Sequence, residues 1–292
     1  MSEFAKILQQ AAADRAILTE ARRGQDPPPL GGPTPPPTTD PAAAPQGVEG
    51  HLVSLLYPAS VLSEPYRMVR HRIEHLHRTA QLSIVAVSSA MVAEGKTTTA
   101  INLAGALAQG TDTRVLLVDA DLRNPSIMRH LALGDAGRRG LVDAILDPTL
   151  GLDDVVSPRP PFNLDVLPAG VLRPAPYEVL KSPRLGHLLE EARRRYDYVV
   201  LDTAPLVAVP DSRLIGKWVD GFLVVVAANK TPRKLVGETL DLMDPTKLVA
   251  LLFNGDDRPL SGYSYPAFRT VGSRSLWHRS KSALTTRRAG RI

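Results

Sequence analysis

Val115-Leu116-Leu117-Val118-Asp119-Ala120-Asp121-Leu122-Arg123 runs from four apolar residues straight into two alternate carboxylates and an arginine. An apolar run of strand length without polar alternation describes a strand covered on both faces, the habit of parallel sheets. Its charged end delivers Asp119 and Asp121 into a site at one edge of that sheet. A second run of this kind, Tyr198-Val199-Val200-Leu201-Asp202-Thr203-Ala204-Pro205, also closes on a carboxylate. Parallel strands need long crossovers, so helices are expected between them.

Outward from these two, strands are expected at 82–88, 163–167, 221–227 and 247–253, with the quoted runs at 114–119 and 197–202. Helices are expected at 62–78, 97–109, 140–146, 183–195, 211–217 and 232–243, with Ser63 placed to cap the first. The alternation predicts an α/β fold with a doubly wound, mostly parallel sheet. This body spans 49–258. Before it, residues 1–24 read as a helix with Phe4, Ile7, Leu8, Ala11 and Leu18 on one face. Residues 25–48 carry nine prolines and read as a disordered tether, which makes the helix a docking element. Beyond residue 258 the periodicity stops, and 259–292 is expected to be a flexible tail.

At 43% hydrophobic residues, the 292-residue chain can bury a large core. With no cysteine, disulfides and thiolate metal sites are excluded. No apolar run approaches the roughly 20 residues a bilayer requires, and no signal segment opens the chain. These features predict a soluble cytoplasmic protein. From Arg258 onward there are eight Lys or Arg residues and no acid, leaving 27 basic and 30 acidic residues before it. A basic tail on a mildly acidic body points to a local anionic partner, with Trp277 and the arginines against an anionic membrane surface as one form of it. It argues against a nucleic-acid-binding core. The histidine pair His71 and His75, at helical spacing, reads as a solvated or interface face.

Between the first strand and its helix stands Ala90-Met91-Val92-Ala93-Glu94-Gly95-Lys96-Thr97. Backbone N–H groups at such a helix start, together with the helix dipole, bind phosphate. Lys96 would reach the β and γ phosphates and the Thr97 hydroxyl would ligate Mg²⁺. Ala93 stands where glycine would let the backbone approach phosphate more closely, which loosens the cradle. Mg²⁺ takes one or two carboxylates beside phosphate oxygens, and ligands gather at the carboxyl ends of parallel strands. Asp202 is the natural metal partner. Of Asp119 and Asp121, one can steer metal while the other accepts a proton.

The ordered set of motifs resembles the bacterial tyrosine kinase (BY-kinase) family of capsule and exopolysaccharide synthesis, in its separate cytoplasmic form of the CpsD/CapB type. The resemblance runs from about Leu62 to Tyr265. It rests on Glu64-Pro65-Tyr66-Arg67-Met68-Val69-Arg70, the phosphate loop, and Asp119-Ala120-Asp121-Leu122-Arg123-Asn124-Pro125. Gly140-Leu141, Leu164 to Gly170, and Asp202-Thr203-Ala204-Pro205 with Asp211 nearby complete it.

The resemblance implies a P-loop fold of the MinD/ParA-like group and an ATP- and Mg²⁺-dependent autokinase. Lys96, Asp119 and Asp121 would be catalytic, with Asp119 as base. Glu94, Gly95, Lys96, Thr97, Thr98, Arg123 and Asn254 would hold nucleotide, and Thr97, Asp121 and Asp202 the metal. Neighbouring subunits would phosphorylate each other's Tyr263 and Tyr265. A homo-oligomer would form through Glu64, Arg67 and Arg70, activated by a membrane polysaccharide co-polymerase at the inner face of the cytoplasmic membrane. This chain departs from the family at Val92-Ala93, where Pro-Gly is usual, and in having only two tail tyrosines, so each state of the charge switch is smaller. Two other readings are a catalytically weak, nucleotide-dependent scaffold and a MinD/ParA-like positioning ATPase. The latter carries a signature lysine where this chain has Met91.

Overall fold

The computed structural model describes residues 47–134 and 138–255. The expected N-terminal helix, most of the expected proline-rich tether, and the segment with Tyr263 and Tyr265 lie outside the described residues. Seven strands form one sheet: β1 (Ile84–Ser89), β2 (Val115–Ala120), β3 (Ser157–Pro158), β4 (Asp165–Leu167), β5 (Tyr198–Thr203), β6 (Gly221–Ala227) and β7 (Leu248–Asn254). Their order is β3-β4-β2-β5-β1-β6-β7. All pairings are parallel except β3 with β4. That two-residue edge strand contains Pro158, whose missing donor is tolerated only at such an edge.

The helices are α1 (Val53–Leu56), α2 (Glu64–Ala80), α3 (Lys96–Leu107), α4 (Ile127–His130), α5 (Leu141–Leu146), α6 (Leu152–Val155), α7 (Pro176–Lys181), α8 (Pro183–Arg195), α9 (Asp211–Ile215) and α10 (Arg233–Asp241). Alternate residues of each central strand feed two cores. Ile84, Ala86, Leu116, Val118, Val199 and Leu201 pack among Leu141, Leu185, Leu188 and Ile215. Val85, Val87, Leu117 and Val200 pack on the other side among Ile73, Ile101, Leu103 and Leu107. This is the doubly wound arrangement that the unbroken apolar runs imply.

Differences from expectation are local. Ser63 does not cap α2 through its side chain; its hydroxyl donates to the carbonyls of Val53 at 3.0 Å and Tyr57 at 2.8 Å instead. The short pieces α1, α4, α6 and α7 and strand β3 escaped the pattern, because two to six residues complete too little of a period to show one. Gly140 opens α5 where a Cβ would stand 2.2 Å from the Pro168 carbonyl oxygen, so the strand-end loop after β4 can lie against it. Among the described residues no helix is long and apolar enough to cross a membrane.

Candidate functional site

β1 lies between β5 and β6, and β5 separates it from β2, so the carboxyl ends of β1, β2 and β5 stand side by side. The register is tight: Asp119 pairs with Asp202, and Val87 with Asp202. The phosphate loop leaves β1 at this edge and turns into α3 at Gly95, whose φ is +91°. A Cβ on Gly95 would stand 2.0 Å from Asn254 Nδ2. Asn254 closes β7 and donates from Nδ2 to the Glu94 carbonyl at 2.9 Å, so it braces the loop from the far strand. Ala93 adopts φ +60°, the left-handed region where glycine would be unstrained.

The loop lysine turns to the second strand. Lys96 Nζ donates to Asp121 Oδ2 at 2.7 Å, and both side chains are buried. Burial works against the Lys96 ammonium, but Asp202, Asp121 and Asp119 outweigh it and hold its pKa above the ordinary lysine value. Asp121 Oδ1 also accepts the Asn124 N–H at 3.2 Å. Thr97 Oγ1 donates to Asp202 Oδ2 at 2.6 Å, and the Ser126 hydroxyl approaches Thr97 Oγ1 at 3.4 Å. Asp119 Oδ2 accepts the N–H groups of Ser126 and Ile127, each at 3.0 Å, and so fastens the start of α4.

Asp119 and Asp202 each keep one buried oxygen, Oδ1, without a hydrogen-bond partner. Burial, and then the charge of Asp202, pushes Asp119 up to about 8; burial, against the pull of Lys96 and the Thr97 hydroxyl, pushes Asp202 up to about 7. The two titrate as a pair. Hard carboxylate and hydroxyl oxygens, two of them orphaned beside a phosphate loop, fit a magnesium ion, which would repay the burial of these charges.

Around this centre the other expected residues take varied places. Glu94 turns its side chain inward, where it accepts the Met91 N–H at 3.0 Å and the Thr231 hydroxyl, so its side chain stiffens the loop. Thr98 follows on the half-buried side of α3. Arg123 makes a forked pair with Asp211, Nε to Oδ2 at 2.7 Å and Nη2 to Oδ1 at 3.1 Å. Glu64 and Arg67 pair at the start of α2, with Arg67 Nη1 also donating to the Pro58 carbonyl at 3.2 Å. Arg70 is committed within the chain, donating to Glu74 at 2.6 Å and to the Ala106 carbonyl at 2.9 Å, near the end of α3. His71 and His75 are exposed, in keeping with a solvated face.

Sequence reasoning missed Ser126, Thr231 and Asn102. The last is fully buried on α3, where Oδ1 accepts the Ser54 N–H at 2.8 Å and Nδ2 donates to the His51 carbonyl at 3.1 Å. Only the polar residue in an apolar helix face could have flagged it. A cleft of about 530 Å³ adjoins Asp119, walled by Pro125, Ser126 and Met128 on one side and Gly170 to Leu172 on the other.

Residues 82–227 match a family described as AAA domain. Over 210 residues the chain is 34% identical to the tyrosine-protein kinase YwqD of Bacillus subtilis, covering 71% of this chain and 87% of that protein. It is 33% identical over 214 residues to the succinoglycan biosynthesis transport protein ExoP of Rhizobium meliloti. That match covers 71% of this chain but 27% of the relative, one part of a longer protein. Among solved structures, the kinase domain of the Escherichia coli tyrosine kinase ETK aligns with a TM-score of 0.66 at 26% identity, covering 72% of this chain and 82% of that one.

Proposed function

The chain belongs to the bacterial tyrosine kinase family, and from that membership we propose that it is an autokinase that phosphorylates Tyr263 and Tyr265 to regulate polysaccharide polymerisation and export. The observation that carries the reading is the joining of Lys96, Thr97, Asp119, Asp121 and Asp202 into one buried cluster at adjacent strand ends. The likeness to a succinoglycan biosynthesis transport protein supports the polysaccharide context.

In this reading the backbone around Gly95 and the α3 N-terminus hold the ATP phosphates, and Asn254 keeps the loop in place. Lys96 exchanges its Asp121 pair for phosphate oxygens, which releases Asp121. Thr97, Asp121 and Asp202 would then hold Mg²⁺, which supplies charge neutralisation to the phosphates when bound. An acceptor tyrosine enters by the cleft beside Asp119. Its phenolic oxygen bonds to the γ-phosphorus as the bond to the bridging oxygen of ADP breaks, and the phenolic proton passes to the unpartnered Oδ1 of Asp119. Arg123, held by Asp211, adds positive charge at the rim.

Assembly is part of the same reading. Glu64 and Arg67 stand at the half-exposed start of α2, suited to a neighbouring copy in a homo-oligomer. Arg70 belongs to the same proposed surface and also ties α2 to the end of α3. A membrane polysaccharide co-polymerase is the proposed activator, recruiting the chain to the inner face of the cytoplasmic membrane, with the basic tail against anionic lipid.

The test is phosphotyrosine formation by the purified chain with Mg-ATP, read by mass spectrometry. Signal is expected in the wild type and lost in Lys96→Met and in Tyr263→Phe/Tyr265→Phe. ATP binding without phosphotyrosine, even with the activator's cytoplasmic segment present, would leave a nucleotide-dependent scaffold instead.

A further inference from the structure

A second group of ligand-type side chains lies where the segment entering the domain meets α4. The Glu49 N–H donates to the His130 carbonyl at 3.2 Å, and the His51 carbonyl accepts from buried Asn102 at 3.1 Å. Both side chains therefore hang from pinned backbone. His130 is 9% exposed. Its Nδ1 stands 2.9 Å from Glu49 Oε2 but out of hydrogen-bond alignment, which leaves this buried nitrogen without a hydrogen-bond partner. His51 Nε2 stands 3.4 Å from the same oxygen, and the three ligand atoms lie within 4.8 Å of one another.

We propose that Glu49, His51 and His130 form a site for a divalent transition ion of the Zn²⁺ class, separate from the nucleotide site. In a tetrahedral site with metal–ligand bonds near 2.0–2.1 Å, ligand atoms stand about 3.3 Å apart. The spacings of 2.9 and 3.4 Å lie on either side of that value. Two imidazoles with one carboxylate select zinc over magnesium, and three protein ligands leave the fourth position to water. A simple ion pair between Glu49 and His130 leaves unexplained the approach of His51 Nε2 to the same carboxylate oxygen at 3.4 Å. The group opposing a cation here is Arg129, with Nη1 3.7 Å from Glu49 Oε1 and Nη2 3.4 Å from His130 Nε2. Its side chain is 71% exposed and can swing into water. An ion here would bind residues 49–51 to the same short helix whose first N–H groups cap Asp119.

The test is titration of the full chain with Zn²⁺ by calorimetry, and with Co²⁺ as a visible-absorbing stand-in. One Zn²⁺ per chain is expected, with affinity falling more than about tenfold in His51→Ala and in Glu49→Gln. Both residues are partly exposed, so the fold should persist. Asp202→Asn and His75→Ala should leave this affinity unchanged, and Co²⁺ should give the intense bands of four-coordination. Binding that survives both His51→Ala and Glu49→Gln overturns the proposal. So does binding lost only in Asp202→Asn or His75→Ala, or no binding at all.

Discussion

Replacing Asp119 by Asn should make the metal-free protein more stable as pH rises, while removing its activity. Asp119 is 1% exposed and faces Asp202 across the β2–β5 register. Unfolded, its carboxyl releases its proton near pH 4; folded, burial and the neighbouring charge hold the proton up to about 8. Between these values the native state binds more protons than the unfolded state, so stability falls with rising pH and the loss is complete only above the folded pKa. Asn lacks the ionisation but keeps an oxygen to accept the Ser126 and Ile127 N–H groups, and Asn caps as well as Asp. One pKa unit corresponds to about 1.4 kcal/mol. Because the carboxylates share the cost and the Asp121–Ser126 loop can relax, we expect a gain on the order of 2 kcal/mol at pH 8. For a domain of this size that is roughly 4–8 °C in Tm. At pH 5 the gain should be much smaller. The assay is thermal unfolding in EDTA at both pH values; in a parallel series without EDTA, Mg-ADP should narrow the gap by stabilising the wild type. An Asn variant equally destabilised at pH 5 and pH 8 would refute the reasoning.

Three further outcomes follow from the packing. Gly95→Ala must hold a left-handed φ of +91° against Asn254, which should cost about 2 kcal/mol in urea unfolding and weaken ATP-analogue binding. Part of that cost should vanish in an Asn254→Ala background. Asp211→Ala and Arg123→Ala should each reduce phosphotyrosine formation, and a double-mutant cycle in denaturant should return a coupling of about 1 kcal/mol or less, since Arg123 is partly exposed. Leu117→Ala, at a fully buried position of central β2, should lower unfolding free energy by roughly 2–5 kcal/mol with activity at permissive temperature retained.

The fold class was legible because its signals are local. Val115–Val118 and Tyr198–Leu201 are apolar without alternation, and both prove buried from end to end, with helices covering the two faces. The long helices α2 and α8 also declared themselves by length and period, and α3 by its length and its place after the phosphate loop. The family was legible from the order of its motifs, and the tyrosine-kinase relatives agree with it. The pieces around 127–130, 152–158 and 176–181 were not, since elements so short are set by what they pack against. Site residue types could be named as well, but not their partners. Glu94 could be placed at the phosphate loop, yet its side chain belongs to Thr231, 137 positions away.

Local chemistry in the chain was therefore enough to determine the parallel sheet, the phosphate-loop helix and the carboxylates at strand ends, because hydrophobic period and turn composition act over a few residues. Tertiary structure alone decided that Asp119 lies opposite Asp202, that Lys96 reaches Asp121, that Arg70 serves α3, and that His130 meets Glu49. Those pairings depend on which strand falls beside which and in what register. Long-range closure of the sheet sets both, and one residue of slip would turn each carboxylate to the opposite face.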